Sequence, residues 1–168
     1  MKMRSVSPLI ATIILIALTV ALGAIIVGWA RGYVKGQVST LGANAQVLGV
    51  VCNKNLVNVT IQNIGSTQIN LQYLSVEITT QTGSTYKCPI SLNTSTVPQG
   101  VACIIYAAFN VSGSSISSIS NPNTNLQLND IIVLSVNTSS SLSGQLTGST
   151  VGLLYYDNQI ASSTIGNC

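Results

Sequence analysis

Leu9-Ile-Ala-Thr-Ile-Ile-Leu-Ile-Ala-Leu-Thr-Val-Ala-Leu-Gly-Ala-Ile-Ile-Val-Gly-Trp-Ala30 runs for 22 residues without a charge. At 1.5 Å rise per residue this is about 33 Å of helix, enough to cross the hydrocarbon core of a bilayer. A secretory signal peptide has an apolar region of only about 7–15 residues with a cleavage site behind it. The run is too long for that reading. It reads instead as a helix retained on the chain, either a plain membrane anchor or a packing element. Ser7 and Pro8 supply a start signal, since Ser caps free backbone amides and Pro is pre-set for the first turn. Within and beyond the run, Ala24, Gly28, Gly32 and Gly36 recur every four residues along one helix face. Small residues at that spacing let two backbones approach closely. Each glycine otherwise weakens a helix by about 1 kcal/mol, so helix packing is the better reading of Gly28 and Gly32, while Gly36 and Gly42 also suit a fraying end.

Outward from this segment, charge is scarce. Only 5% of the 168 residues are charged, for a net charge of +3. Lys2 and Arg4 precede the apolar run, Arg31 and Lys35 follow it, and beyond residue 36 only Lys54, Glu77, Lys87, Asp130 and Asp157 remain. That pattern leaves no basic footprint for nucleic acid, so no nucleic-acid partner is expected. The chain has no histidine. Ser-His-Asp and Cys-His catalysis and most metal sites are therefore out of reach, and three scattered carboxylates replace them poorly. The expectation is a non-catalytic protein without cofactor or metal.

The segment from Ser5 to Gly23, preceded by Arg4, resembles the N-terminus of archaeal type IV pilins. In that family a basic residue followed by a small one marks the cut made by a prepilin peptidase, which Arg4-Ser5 matches. The resemblance implies that residues 1–4 are a leader, that Ser5 opens the mature chain, and that the apolar helix stays attached to build a fibre core. It covers roughly residues 3–30. Two departures accompany it. Bacterial type IV pilins carry a glutamate at the fifth mature position, where this chain has Leu9, and the Gly-Leu-Asp start associated with archaellins is missing. An adhesion pilin thus ranks above an archaellin.

From about Gln46 the period changes from helix to strand. Val57, Val59 and Ile61 alternate with Asn58, Thr60 and Gln62, as in a half-buried strand. Ile69, Leu71 and Tyr73 alternate, then the phase slips to Leu74, Val76 and Ile78, which a β-bulge would explain. Residues 101–111, 131–136 and 152–156 are further strand candidates, and turns such as Asn63-Ile-Gly-Ser separate them. Six to eight strands in about 120 residues predict an immunoglobulin-like β-sandwich. The Ser/Thr/Gly-rich tracts 112–120 and 138–150 read as exposed loops, with an O-glycosylated or adhesive loop as the sharper alternative. The fold class expected is α+β: a leader at 1–4, a long N-terminal apolar α-helix over 5–44, and an all-β sandwich over 45–168.

Cys52, Cys88, Cys103 and Cys168 all lie outside the helix. An even count in an exported domain reads as two disulfides, with three pairings available and Cys88–Cys103 with Cys52–Cys168 preferred. Their spacing fits no zinc pattern. Asn58, Asn93, Asn110 and Asn137 head Asn-x-Ser/Thr sequons, but composition alone produces about three, so only their positions carry information.

The function expected is a subunit of an extracellular filament that serves attachment or cell–cell contact. Its partners are copies of itself, the membrane before assembly, and, by the resemblance, the prepilin peptidase and pilus machinery. Trp29 and Tyr33 would sit at the membrane interface before assembly, or pack against the outer domain. Two alternatives stay open. One is a membrane-anchored extracellular binding module, which exposed aromatic clusters or a charged pocket would favour and for which the sequence offers little. The other is an archaellin-type motility subunit.

Overall fold

The computed structural model describes residues 8–40 and 42–168, with side chains described over 10–29 and 42–168. Two compact units make up the chain, Met1–Ser39 and Thr40–Cys168. The first contains helix α1, Pro8–Thr40, 33 residues long. It continues well past the apolar run and keeps Gly28, Gly32 and Gly36 in helical geometry. Gly42 follows it with φ +85°, a left-handed conformation that glycine adopts without steric cost.

The second unit is all-β apart from two short turns of helix. Its strands are β1 (Ala45–Asn53), β2 (Leu56–Asn63), β3 (Ile69–Asn70), β4 (Leu74–Thr79), β5 (Thr85–Cys88) and β6 (Cys103–Ser112). There follow β7 (Ser115–Ile119), β8 (Asn125–Leu126), β9 (Ile131–Thr138), β10 (Thr150–Tyr155) and β11 (Asn158–Thr164). A five-stranded sheet has the order β1-β2-β9-β6-β7, a four-stranded sheet the order β11-β10-β4-β5, and β3 pairs with β8. All these strand pairs are antiparallel.

The alternation in β2 works as expected of a half-buried strand. Val57, Val59 and Ile61 point inward, opposite Val136, Leu134 and Ile132 of β9. Val76 and Ile78 of β4 and Val151 and Leu153 of β10 come from the other sheet into the same core, and every one of these residues is at most 1% exposed. Removing each from water contributes about 1.5–3 kcal/mol, which makes this bilayer of aliphatic side chains the main stabilising element of the sandwich.

Three elements differ from the sequence expectation. The phase slip at residues 73–74 is a single 3₁₀ turn, Leu71–Tyr73, rather than a bulge. The Asn70 side chain caps it by accepting from the Gln72 amide at 2.9 Å, and the turn lets both Leu71 and Leu74 face the core. The tract 112–120 is largely β7, an edge strand exposed over most of its length. The tract 138–150 carries a short helix, α2 (Ser140–Ser143), and places Leu142 and Leu146 in the core. Edge strands and covering turns need few apolar residues, so their composition imitates a loop.

One buried asparagine holds the loops at one end of the sandwich. Asn63, 2% exposed, donates from Nδ2 to the carbonyls of Thr67 (3.0 Å), Leu126 (3.3 Å) and Gln127 (3.2 Å). Its Oδ1 accepts from the Gly65 amide at 3.0 Å. Gly65 in turn lies against the approach to β1, donating to the Asn44 carbonyl at 2.9 Å. A Cβ on Gly65 would stand 2.6 Å from the Asn44 nitrogen, so only glycine fits there. Removing the Asn63 amide takes a donor from the buried Leu126 carbonyl and from two part-buried ones, at about 1–3 kcal/mol. Asn63→Ala is therefore expected to lower unfolding free energy by that amount in denaturant titrations of the full chain in detergent. Asn58→Ala, at an exposed site of the same strand, should stay within about 0.5 kcal/mol. Equal effects at the two positions would show that Asn63 is not the tie described.

Candidate functional site

Helix α1 is apolar around its whole circumference between Ile10 and Trp29. Ile10, Leu15 and Ile16 are 50%, 66% and 62% exposed, and at 3.6 residues per turn they stand about 100–140° apart around the axis. A helix of this kind is stable only inside lipid or enclosed by other apolar surfaces. Thr19 turns its polar atom back onto the backbone. The Thr19 hydroxyl donates to the Ile16 carbonyl at 2.9 Å, so it needs no water. The segment is long enough to span a bilayer core.

The small-residue face also lies on α1. Around Gly28 the space is open, and a Cβ placed there would meet nothing within 4 Å. No contact among the described residues therefore accounts for glycine at this position. Ala24 belongs to the same exposed stretch. Gly32 and Gly36 continue the series on the backbone of α1, and their surroundings lie outside the described residues, as do Arg4 and Ser5.

Four cysteines form two disulfides, Cys52–Cys168 and Cys88–Cys103. Both tie one sheet to the other. Cys88 closes β5 of the four-stranded sheet, and Cys103 opens β6 of the five-stranded one. Cys52 lies on the edge strand β1, and Cys168 follows β11, the edge strand with which β1 is in contact. Among the described residues no cluster of three metal-ligating side chains forms.

The sequons occupy four different environments. Asn58 is exposed on the outer face of β2, and Asn93 is exposed in the loop after β5. Asn110 is half-buried on β6 opposite the core residue Ile132, so it lies on the inward face near the end of the sheet. Asn137 is half-buried on β9, and its Nδ2 donates to the Ser95 carbonyl at 2.7 Å.

The structure also gathers residues that no pattern along the chain links. On the outer face of the four-stranded sheet, Tyr73, Lys87, Tyr156 and Asp157 line a cleft of about 500 Å³. Against the expectation of few exposed aromatic clusters or charged pockets, two stacked tyrosines and an ion pair meet there. The one legible signal is rarity: two of the five charges beyond residue 36 converge on this point.

The chain matches no protein-family model and no curated protein. Among solved structures it is similar to the archaellum periplasmic stator protein FlaG from Sulfolobus acidocaldarius, with a TM-score of 0.47 and 17% identity over 72% of this chain and 97% of that one. It is similar also to the complex of the stator proteins FlaF and FlaG from the same organism, with a TM-score of 0.46 and 15% identity over 71% and 86%. A third likeness is to the archaeal flagellin FlaB1 from Methanocaldococcus jannaschii, with a TM-score of 0.44 and 16% identity over 73% and 87%. These are likenesses of chain path at low identity.

The two disulfides differ in access and in the loops they close. Cys88 and Cys103 are fully buried, whereas Cys168 is exposed. Reductant should open Cys52–Cys168 first, with Cys88–Cys103 resisting until the sandwich unfolds. The sequence separations of 116 and 15 residues correspond to losses of about 4–5 and 3 kcal/mol when each bridge is removed. Alkylation and mass spectrometry across a reductant series would follow this order, and simultaneous opening in the folded state would contradict it.

Proposed function

We propose that this chain is a structural subunit of an extracellular filament of the type IV pilin kind, polymerising through α1 and displaying the β-sandwich outward. The observation that carries the reading is the helix itself: residues 10–29 are apolar on every side and exposed, in a chain whose other unit already has its own closed core. Arg4-Ser5, ahead of that helix, supplies the processing site that the N-terminal resemblance implies. Before assembly α1 rests in the membrane with its backbone satisfied internally. In the filament, copies of α1 enclose one another, and each Å² of apolar surface removed from lipid or water contact is held by close packing at the Ala24–Gly28 face. A head-to-tail contact that does not close into a ring extends as an open helical fibre. Two roles follow from display on the cell surface, attachment and cell–cell contact. The prepilin peptidase and the assembly machinery are the expected partners, and the chain itself has a non-catalytic role.

A second reading has one observation in its favour. The Tyr73–Tyr156 cleft suits a binding module that α1 merely anchors in the membrane. The two readings separate on material sheared from the cell surface. The filament reading expects a fibrous fraction containing this chain beginning at Ser5. Retention of the whole chain in membranes, starting at Met1, favours the anchored module.

Gly28→Leu tests the packing role directly. A Cβ at Gly28 meets nothing within 4 Å among the described residues, so the variant should insert in membranes at wild-type level yet yield no fibres by electron microscopy. Normal fibres would remove the close-packing role of this face. Glycosylation, where it occurs, should follow amide access. Peptide mapping is expected to find glycans at Asn58 and Asn93 and none at Asn137, whose amide is already engaged. Modification of Asn137 with Asn58 and Asn93 bare would reverse that order.

A further inference from the structure

The cleft around Tyr73 combines three features that ordinary packing does not require. The first is an aromatic ladder. Tyr155, 4% exposed, meets Tyr156 edge-on with centroids 4.8 Å apart and planes at 74°. Tyr156 stacks on Tyr73 at 4.3 Å with planes at 17°. The ladder starts in the core and ends in solvent, where Tyr73 is 44% exposed. One ring face of Tyr73 is thus backed by Tyr156, and the residue, still half-exposed, lines the cleft.

The second feature is a strained turn. Tyr156 and Asp157 form the two-residue connection of the β10–β11 hairpin, with φ of 49° and 63°. Such turns favour Asn-Gly, because a Cβ in the left-handed region is costly and a bulky ring there is rare. Both side chains of this costly turn nevertheless face the same cleft.

The third feature is the ion pair. Asp157 pairs with Lys87 across the sheet face, the two side chains being 78% and 50% exposed. Pairs at that exposure add little stability. In an almost charge-free domain, two of five charges are held together beside a half-exposed aromatic ring.

From this arrangement we infer that the cleft is a binding site for neutral oligosaccharides, with Tyr73 as the stacking platform and Lys87 and Asp157 as the hydroxyl-binding pair. The C–H face of a sugar ring is weakly electropositive and lies well on the negative face of an aromatic ring. Adjacent sugar hydroxyls donate to the Asp157 carboxylate and accept from the Lys87 ammonium. Because the two charges cancel, a neutral ligand keeps the pair intact, whereas an anionic sugar must compete with Asp157 for Lys87. The volume falls in the ordinary range of ligand clefts, roughly 300–1,000 Å³. The inference deepens the attachment role and rests on that reading only for its biological use.

The test is saturation-transfer NMR and calorimetry on the full chain in detergent, with maltohexaose, cellohexaose and chitohexaose as neutral probes and hexagalacturonate as the anionic one. At least one neutral hexamer is expected to bind at concentrations up to about 10 mM. Tyr73→Ala should weaken that binding roughly tenfold or more. Asp157→Asn, which tolerates the left-handed turn and so preserves the hairpin, should weaken it by roughly threefold or more. Absence of binding by all three neutral hexamers overturns the proposal, as does binding that Tyr73→Ala and Asp157→Asn leave unchanged in folded protein, or a clear preference for hexagalacturonate. Filament formation is scored separately on cells. Loss of sugar binding with fibres intact and loss of fibres with sugar binding intact are therefore distinct results.

Discussion

Between Ile10 and Trp29 helix α1 has no polar side to turn toward water, and its only stable surroundings are lipid or other apolar protein. The rest of the chain is organised around that constraint. A helix apolar on every side and exposed over residues 10–29 does not serve as the core of its own unit. The second unit accordingly carries a complete core, closed by aliphatic residues from two sheets. Helix and sandwich thus differ in kind: one unit presents an apolar surface and the other closes a core of its own.

The sandwich reaches its stability with almost no ionic help. Its surface is wetted by amides and hydroxyls, and the same groups do internal work. Asn63 satisfies three carbonyls and an amide in one buried position, joining the loop after β2 to the one before β9. The two disulfides clamp sheet to sheet near different edges of the sandwich. A packed aliphatic core, a satisfied buried amide and covalent ties are all insensitive to salt, in contrast to surface ion pairs, which ionic strength screens.

Against this background the Tyr73 cleft departs from the local rules. Among the described residues positive φ falls mostly on glycine or asparagine, as at Gly83, Gly113 and Asn129, with Lys54 in the β1–β2 turn a further exception. At the β10–β11 turn a tyrosine and an aspartate occupy those positions, and the aspartate meets a lysine from β5. Backbone strain persists only where surrounding structure over-determines it, and it gathers at binding sites. The ladder from Tyr155 through Tyr156 to Tyr73 supplies that determination.

Much of this architecture was legible in the sequence because it depends on periodicity. The charge-free run gave the helix, and the alternation of Val57, Val59 and Ile61 gave a strand with a buried face, since one residue per 100° or per 180° leaves its mark locally. The edge strands were not legible: β7 is mostly serine because one of its neighbours is solvent, and composition cannot tell such a strand from a loop. Nor was the slip at Leu71–Tyr73, where a 3₁₀ turn and a bulge shift the phase alike. Four cysteines allow three pairings, of which Cys88–Cys103 with Cys52–Cys168 was the preferred one, and the stacking of β5 on β6 and of β1 beside β11 brings those partners together. The cleft lay furthest from view. Tyr73, Lys87 and Asp157 are separated by up to 84 residues, and no local pattern links positions that meet only when β4, β5 and the β10–β11 hairpin pair into one sheet. Sequence by itself determined which segments are apolar and with what period; which distant side chains share a surface was decided by strand order and register, because those are set by the packing of the whole core.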